Sequence, residues 1–235
     1  GTSSTASSNF GNIAVSDPNM PPLSSSNYEI EHALKLSVSY QRAFFGDYRT
    51  RFALFAQRRS GLPFSYTFSS GNLFGDYTST NRNLLYVPQV DSSGNVTATS
   101  DPIVTYSSTF NVAAFNDFLK QTGLIDYAGS ISPRNAFNSP YLTTVDLHIE
   151  QELPAFFPGG SRISAYLDIE NFGNLLNDEW GTLQQIDFPY ISNNVAATRD
   201  TANTQYTYTG FTQRTPSTVT NASVWQMKFG VRYRF

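Results

Sequence analysis

Two histidines occur in the 235-residue chain, and only His148 stands among groups that could share a proton or a metal ion. Asp146, His148, Glu150 and Glu152 alternate along one stretch, and Asp168 and Glu170 repeat the spacing further on. Residues two apart in a strand share a face, so these carboxylates and the imidazole would line one side of a sheet. Acid–base or metal chemistry is conceivable there. A metal centre, however, needs several ligands converging in a defined geometry, and a flat row of polar side chains is more readily a solvated wall. The expectation for His148 is therefore a wall residue, with no metal, no cofactor and no catalysis. His32 is distant in sequence.

Other chemistries lack their parts. There is no cysteine, which excludes a disulfide scaffold and thiolate ligands. No Walker loop, GxSxG elbow or HExxH helix is present, so a phosphate cradle and an activated nucleophile are missing. Glycosylation sequons at Asn95 and Asn221 are short enough to arise by chance. The net charge of −3 and the lack of a basic cluster argue against nucleic acid as a partner.

The elements that position these residues are strands. Tyrosine and phenylalanine number 14 and 19 while charged residues make up only 14% of the chain, an odd balance for a water-covered surface. No stretch approaches the roughly 20 apolar residues of a spanning helix, yet a membrane barrel signals itself only by weak alternation. That alternation recurs. Leu34, Leu36, Val38, Tyr40 and Phe44 oppose Lys35, Ser37, Ser39 and Gln41, and Gly46 and Asp47 form a turn. Tyr48, Phe52, Leu54 and Ala56 continue one face as far as Leu62, Phe64, Tyr66 and Phe68, with Arg49, Arg51, Gln57 and Arg59 opposite, which reads as one long strand. Tyr141, Val145, Leu147, Ile149 and Leu153 face away from the acidic row, and Ile163, Ala165, Leu167 and Ile169 follow with a slip near Gly173 of the kind a bulge makes. Trp225, Met227, Phe229, Val231, Tyr233 and Phe235 close the chain in strict period two.

Between these strands the connections alternate: short at 46–47, long at 69–140, short at 154–161 and long at 191–222. Short periplasmic turns and long extracellular loops are the habit of outer-membrane barrels. Within the first long connection, Val112, Phe115, Phe118 and Leu119 at helical spacing, with Gly123 as a stop, predict one helix. Residues 1–27 read as an exposed loop rather than a signal peptide. Antiparallel neighbours would set Arg49 and Arg51 near Glu152 and Glu150, and Lys228 and Arg232 near Glu170 and Asp168. Phe44, Phe45, Tyr48, Phe156, Phe157 and Trp225 fall at strand ends, where girdle aromatics belong. The competing reading of the same pattern is a set of exposed strands in a soluble β-sandwich.

Three segments carry a resemblance. "FGVRYRF" resembles the C-terminal signal of outer-membrane barrels, "LDIENFGNLLNDEWG" the penultimate-strand motif of TonB-dependent receptors, and "NRNLLYVPQ" with "ISPRNAFNSPYLTTVDLHIEQELP" the Oar-like branch of those receptors. The resemblance implies an all-β transmembrane chain that supplies about five C-terminal strands of a 22-stranded outer-membrane barrel with long extracellular loops, without a plug domain or TonB box of its own. It implies gated, TonB-energised uptake of an unidentified ligand, with outer-membrane lipid, the rest of the barrel, the barrel assembly machinery and the TonB complex as partners. Phe235, Tyr233, Val231 and Phe229 would form the assembly signal, and Tyr86, Phe115, Phe118 and Tyr127 are candidate ligand contacts in the first long loop, unless they pack that loop against itself. A surface adhesin or structural barrel without transport is the alternative.

Overall fold

The computed structural model describes residues 11–17, 19–70, 73, 81–155, 161–200, 202 and 204–234. In chain order its strands are β1 (Ala33–Phe45), β2 (Tyr48–Arg59), β3 (Pro63–Phe68), β4 (Tyr86–Val87), β5 (Val104–Tyr106), β6 (Ser130–Ile131), β7 (Phe137–Asn138), β8 (Leu142–Pro154), β9 (Arg162–Glu170), β10 (Gln184–Gln185), β11 (Ile191–Arg199), β12 (Tyr206–Phe211), β13 (Ser217–Thr218) and β14 (Gln226–Arg234). Helices α1 (Val112–Thr122), α2 (Phe172–Leu176) and α3 (Thr220–Ser223) are short, and among the described residues no helix is long and apolar enough to cross a membrane.

The chain divides into two compact units. One, the sheet unit, comprises Ile30–Gly61, Ser139–Gln185 and Ser217–Phe235. Its five strands run antiparallel in the order β1-β2-β8-β9-β14. Register follows from the alternation. Tyr40, Phe52, Ile149, Leu167 and Phe229 form one cross-strand row, and Val38, Leu54, Leu147, Ile169 and Met227 form the next. A slip of one residue on any strand would carry its apolar set to the other face.

Two expectations about strand ends are corrected. The long strand read from Tyr48 to Phe68 breaks after Arg59. At Gly61 the chain passes so close to the carbonyls of Ser139 and Pro140 that a Cβ would fall on them, and β3 belongs to the other unit. The slip at Gly173 is not a bulge. Asn171 takes a left-handed conformation (φ 53°), ends β9 and starts α2.

The second unit comprises Gly1–Glu29, Leu62–Asn138 and Ile186–Pro216. Most of the two stretches expected as long loops thus fold, together with residues 11–17, around a core of their own. Its main sheet is mixed, in the order β5-β12-β11-β3-β7, with β11 parallel to β3 and β12 parallel to β5. Helix α1 forms where spacing predicted it. The Asn111 side chain caps its first turn by accepting from the Ala114 N–H at 3.0 Å, and left-handed Gly123 ends it. Its apolar face, with Phe115, Phe118 and Leu119, joins Tyr66, Phe68, Leu85, Val195 and Tyr208 in one aromatic-rich core. Burying each such side chain contributes about 1.5–3 kcal/mol. Residues 11–17 are also more than a loop, because Ala14 and Val15 are buried and Val15 bridges Asn83.

Candidate functional site

Within the sheet unit the two faces differ in chemistry. One carries the apolar rows and is widely exposed, most of all on its outer strands: Leu34 is 72% exposed, Phe229 72% and Val231 62%, with Leu36, Tyr40, Phe52, Met227 and Tyr233 also exposed, whereas Ile169 on β9 is buried. Aromatics mark both ends of this sheet. Phe44 and Phe45 stand at the Gly46 turn, with Tyr48 beneath the Arg162 guanidinium, while Tyr141, Trp180 and Trp225 stand at the opposite end. Polar groups on this face are confined to its edges. Arg42 lies over Phe44 near the turn, and the Thr50 hydroxyl donates to Gln151 one row from that end. Arg58 lies over Tyr141 at the other end, 5.1 Å from the ring centre.

The opposite face is a polar wall. Arg51 sits across from Glu150 in register, as expected, and the Arg49 backbone N–H donates to Glu152 Oε2 at 3.1 Å. Arg162 Nη1 also reaches Glu152 Oε2, at 3.0 Å. Lys228 lies opposite Asp168. Arg232 departs from expectation: its register partner is Ser164, and its guanidinium extends instead to Glu150 Oε1 at 3.5 Å. Tyr166 accounts for that path. Its ring lies over Gly230, where a Cβ would collide with Cζ and Oη, and the Arg232 guanidinium rests 5.7 Å from the same ring.

His148 is flanked by two carboxylates of its wall, with Nδ1 on Asp168 and Nε2 3.6 Å from Glu150. Each ring nitrogen already faces a carboxylate, and the ring stacks on Tyr166 at 6.1 Å. Among the described residues no group of three or more His, Asp or Glu is arranged to hold a metal ion. The wall supplies charge and hydrogen-bonding capacity beside a shallow cavity of about 340 Å³ lined by Ser37, Phe55, Asp146, His148 and Asp168.

At the Tyr141 end, Asn171 holds three segments together. Its backbone N–H donates to Asp146 Oδ1 at 2.8 Å, and its side-chain Nδ2 donates to the carbonyls of Gly181 (3.0 Å) and Ser223 (2.9 Å). Gly181, at φ 64°, leaves no room for a side chain, since a Cβ would fall on the Asn171 amide. Sequence reasoning included this asparagine in a motif but did not see the clamp.

The residues singled out in sequence divide by unit. Tyr233, Val231 and Phe229 lie on the uncovered apolar face of β14, while Phe235, Phe156 and Phe157 lie outside the described residues. Of the loop aromatics, Phe115 (0% exposed) and Phe118 (2%) are core, and Tyr86 is buried, donating its hydroxyl to Asp101. Tyr127 is half-buried against Phe137. Phe115, Phe118 and Tyr86 thus pack the unit internally, while Tyr127 stays partly exposed. Burial raises the phenol pKa of Tyr66 to about 12 and that of Tyr208 well above its ordinary value. Comparison of the chain with family models, with curated proteins and with solved structures gave no match.

Proposed function

We propose that the chain is the C-terminal barrel segment of an outer-membrane, TonB-dependent transporter that takes up an unidentified ligand by gated passage. One observation carries this reading: an apolar face spanning five paired strands leaves large hydrophobic side chains of β1, β2, β8 and β14 exposed. Exposed apolar patches of this extent on water-soluble proteins mark interaction surfaces, and for a sheet with a polar reverse side lipid is the matching environment. The dimensions agree. Trp225 and Tyr233 are eight residues apart, roughly 27 Å along an extended strand and about 20 Å at the usual barrel tilt, against an apolar band near 25 Å. Arg42 and Arg58 sit at the ends of the face, where long cationic side chains can reach headgroups.

The sheet cannot stop at β1 and β14 in lipid, because unpaired edge N–H and C=O groups there cost several kcal/mol each. Further strands, from the same polypeptide or another, complete it, and the wall of Arg51, His148, Glu150 and Asp168 then faces the wet interior. Both long connections leave from the Tyr141 end, which on this reading is extracellular, and the unit they build is the ligand-contacting part. The test is photocrosslinking in living cells with the full polypeptide. Capture of TonB that disappears when the inner-membrane proton gradient is collapsed supports transport. Surface exposure without any TonB capture overturns it in favour of an adhesive or structural barrel.

A further inference from the structure

The second unit contains a guanidinium that its surroundings leave under-used. Arg134 is half-buried in the "SPRN" stretch, and it offers five N–H donors. Its Nη2 reaches Asn27 Oδ1 at a long 3.4 Å, and its Nε is buried with no hydrogen-bond partner. Among the described residues no carboxylate forms an ion pair with it. A partly desolvated charge with a buried, unpartnered N–H is unfavourable, and an anion supplied from outside would relieve that cost.

The surroundings are built rather than incidental. Asn135, left-handed at φ 54°, exchanges hydrogen bonds with Ser65 and donates its side-chain amide to Ser25 O (2.7 Å) and Asn27 Oδ1 (2.6 Å). That network pins residues 25–27 beside Arg134. Two rings that line the same cavity as Arg134, Tyr28 and Phe188, are braced from behind by Tyr190, which makes edge contacts with them at 5.9 Å and 5.8 Å. The cavity has a volume of about 300 Å³, lined by Asn12, Asn27, Tyr28, Arg134 and Phe188 among others. That is the lower end of the roughly 300–1,000 Å³ of small-molecule sites. Tyr28 and Phe188 are 68% and 61% exposed, so a ring could reach them.

We propose that Arg134 and the Tyr28 and Phe188 rings form a binding site for a small aromatic carboxylate. The guanidinium takes the carboxylate in a two-point fork, and the rings cover the flat apolar body. Desolvation also lowers the pKa of Arg134 from its ordinary value, consistent with a charge waiting for a partner. The site involves residues of this unit alone, so it stands or falls separately from the membrane reading.

The test is ligand-observed saturation-transfer NMR and titration on the full chain in detergent, with benzoate as the probe, benzamide as its neutral counterpart, and empty micelles as the blank. Benzoate should bind at least tenfold more tightly than benzamide. Arg134→Gln should remove at least tenfold of benzoate affinity, Arg134→Lys should retain part of it, and Phe188→Ala should cost several-fold. If Arg134→Gln proves unfolded, Phe188→Ala decides, because that exposed ring supports no core. Equal binding of benzoate and benzamide, or unchanged benzoate affinity in a folded Arg134→Gln protein or in Phe188→Ala, overturns the proposal.

Discussion

Replacing Asn171 by alanine should be the most damaging single change at the Tyr141 end of the sheet unit, and its cost can be divided into parts. The backbone bond to Asp146 survives, but the two side-chain bonds to Gly181 O and Ser223 O are lost. At about 0.5–1.5 kcal/mol each, they account for roughly 1–3 kcal/mol. Alanine must also hold a left-handed backbone, at a further 1–2 kcal/mol or so, which brings Asn171→Ala to roughly 2–5 kcal/mol. Asn171→Gly loses the bonds without the backbone strain and should recover about 1–2 kcal/mol of that. Gly181→Ala should be severe alone, because its new methyl meets the Asn171 amide, and less than additive with Asn171→Ala, where the amide is gone. The assay is denaturant unfolding in detergent followed by tryptophan fluorescence, which reads the sheet unit because both tryptophans of the chain, Trp180 and Trp225, lie in it. A loss under about 0.5 kcal/mol, the size of an ordinary surface change, or a glycine variant no better than alanine, would refute the clamp.

Gly230→Val places a branched side chain where the Tyr166 ring lies; it should cost roughly 1–3 kcal/mol by overpacking, and Tyr166→Ala in the same chain should restore most of it, as read by the same unfolding curve. The second unit should be sensitive to alkali: Tyr66 stays protonated when folded up to about pH 12, whereas an unfolded tyrosine ionises near pH 10. Its stabilisation is therefore complete below about pH 10 and is lost as pH rises toward 12, by up to about 3 kcal/mol. Tyr208, raised further by burial, acts in the same direction. Tyrosinate absorbance should then appear in step with unfolding, and smooth ionisation of all phenols near pH 10 in a still-folded protein would contradict this.

The sheet unit was legible because each strand has one wet and one apolar face, so the sequence alternates and the register follows from matching apolar sets. Helix α1 was legible for a similar reason, with Gly123 marking its end. The same spacing that revealed the helix also marked Phe115 and Phe118 as its buried face, in line with the internal-packing alternative for these rings. The second unit was not legible. β3 alternates Phe64, Tyr66 and Phe68 with Ser65 and Thr67, so it reads as a continuation of β2 even though all six of its residues are buried, and it pairs in parallel with β11 from more than 100 residues away. Nothing local announces such a pairing. The left-handed turn at Asn171 and the pocket at Arg134 depend on segments distant in sequence, and individual asparagines and arginines carry no sign of what will stand beside them.

The most direct measurement uses the absence of cysteine from these 235 residues, with any cysteine elsewhere in the completed protein replaced by serine. Single cysteines at Lys228, Phe229, Arg232 and Val231 of the completed protein in lipid vesicles would carry nitroxide labels, with relaxation by lipid-soluble oxygen compared with that by a water-soluble nickel chelate. Lipid contact should follow period two, with oxygen dominant at 229 and 231 and the nickel chelate dominant at 228 and 232. Labels at 229 and 231 shielded from both reagents, as beneath a second protein layer, would contradict the account.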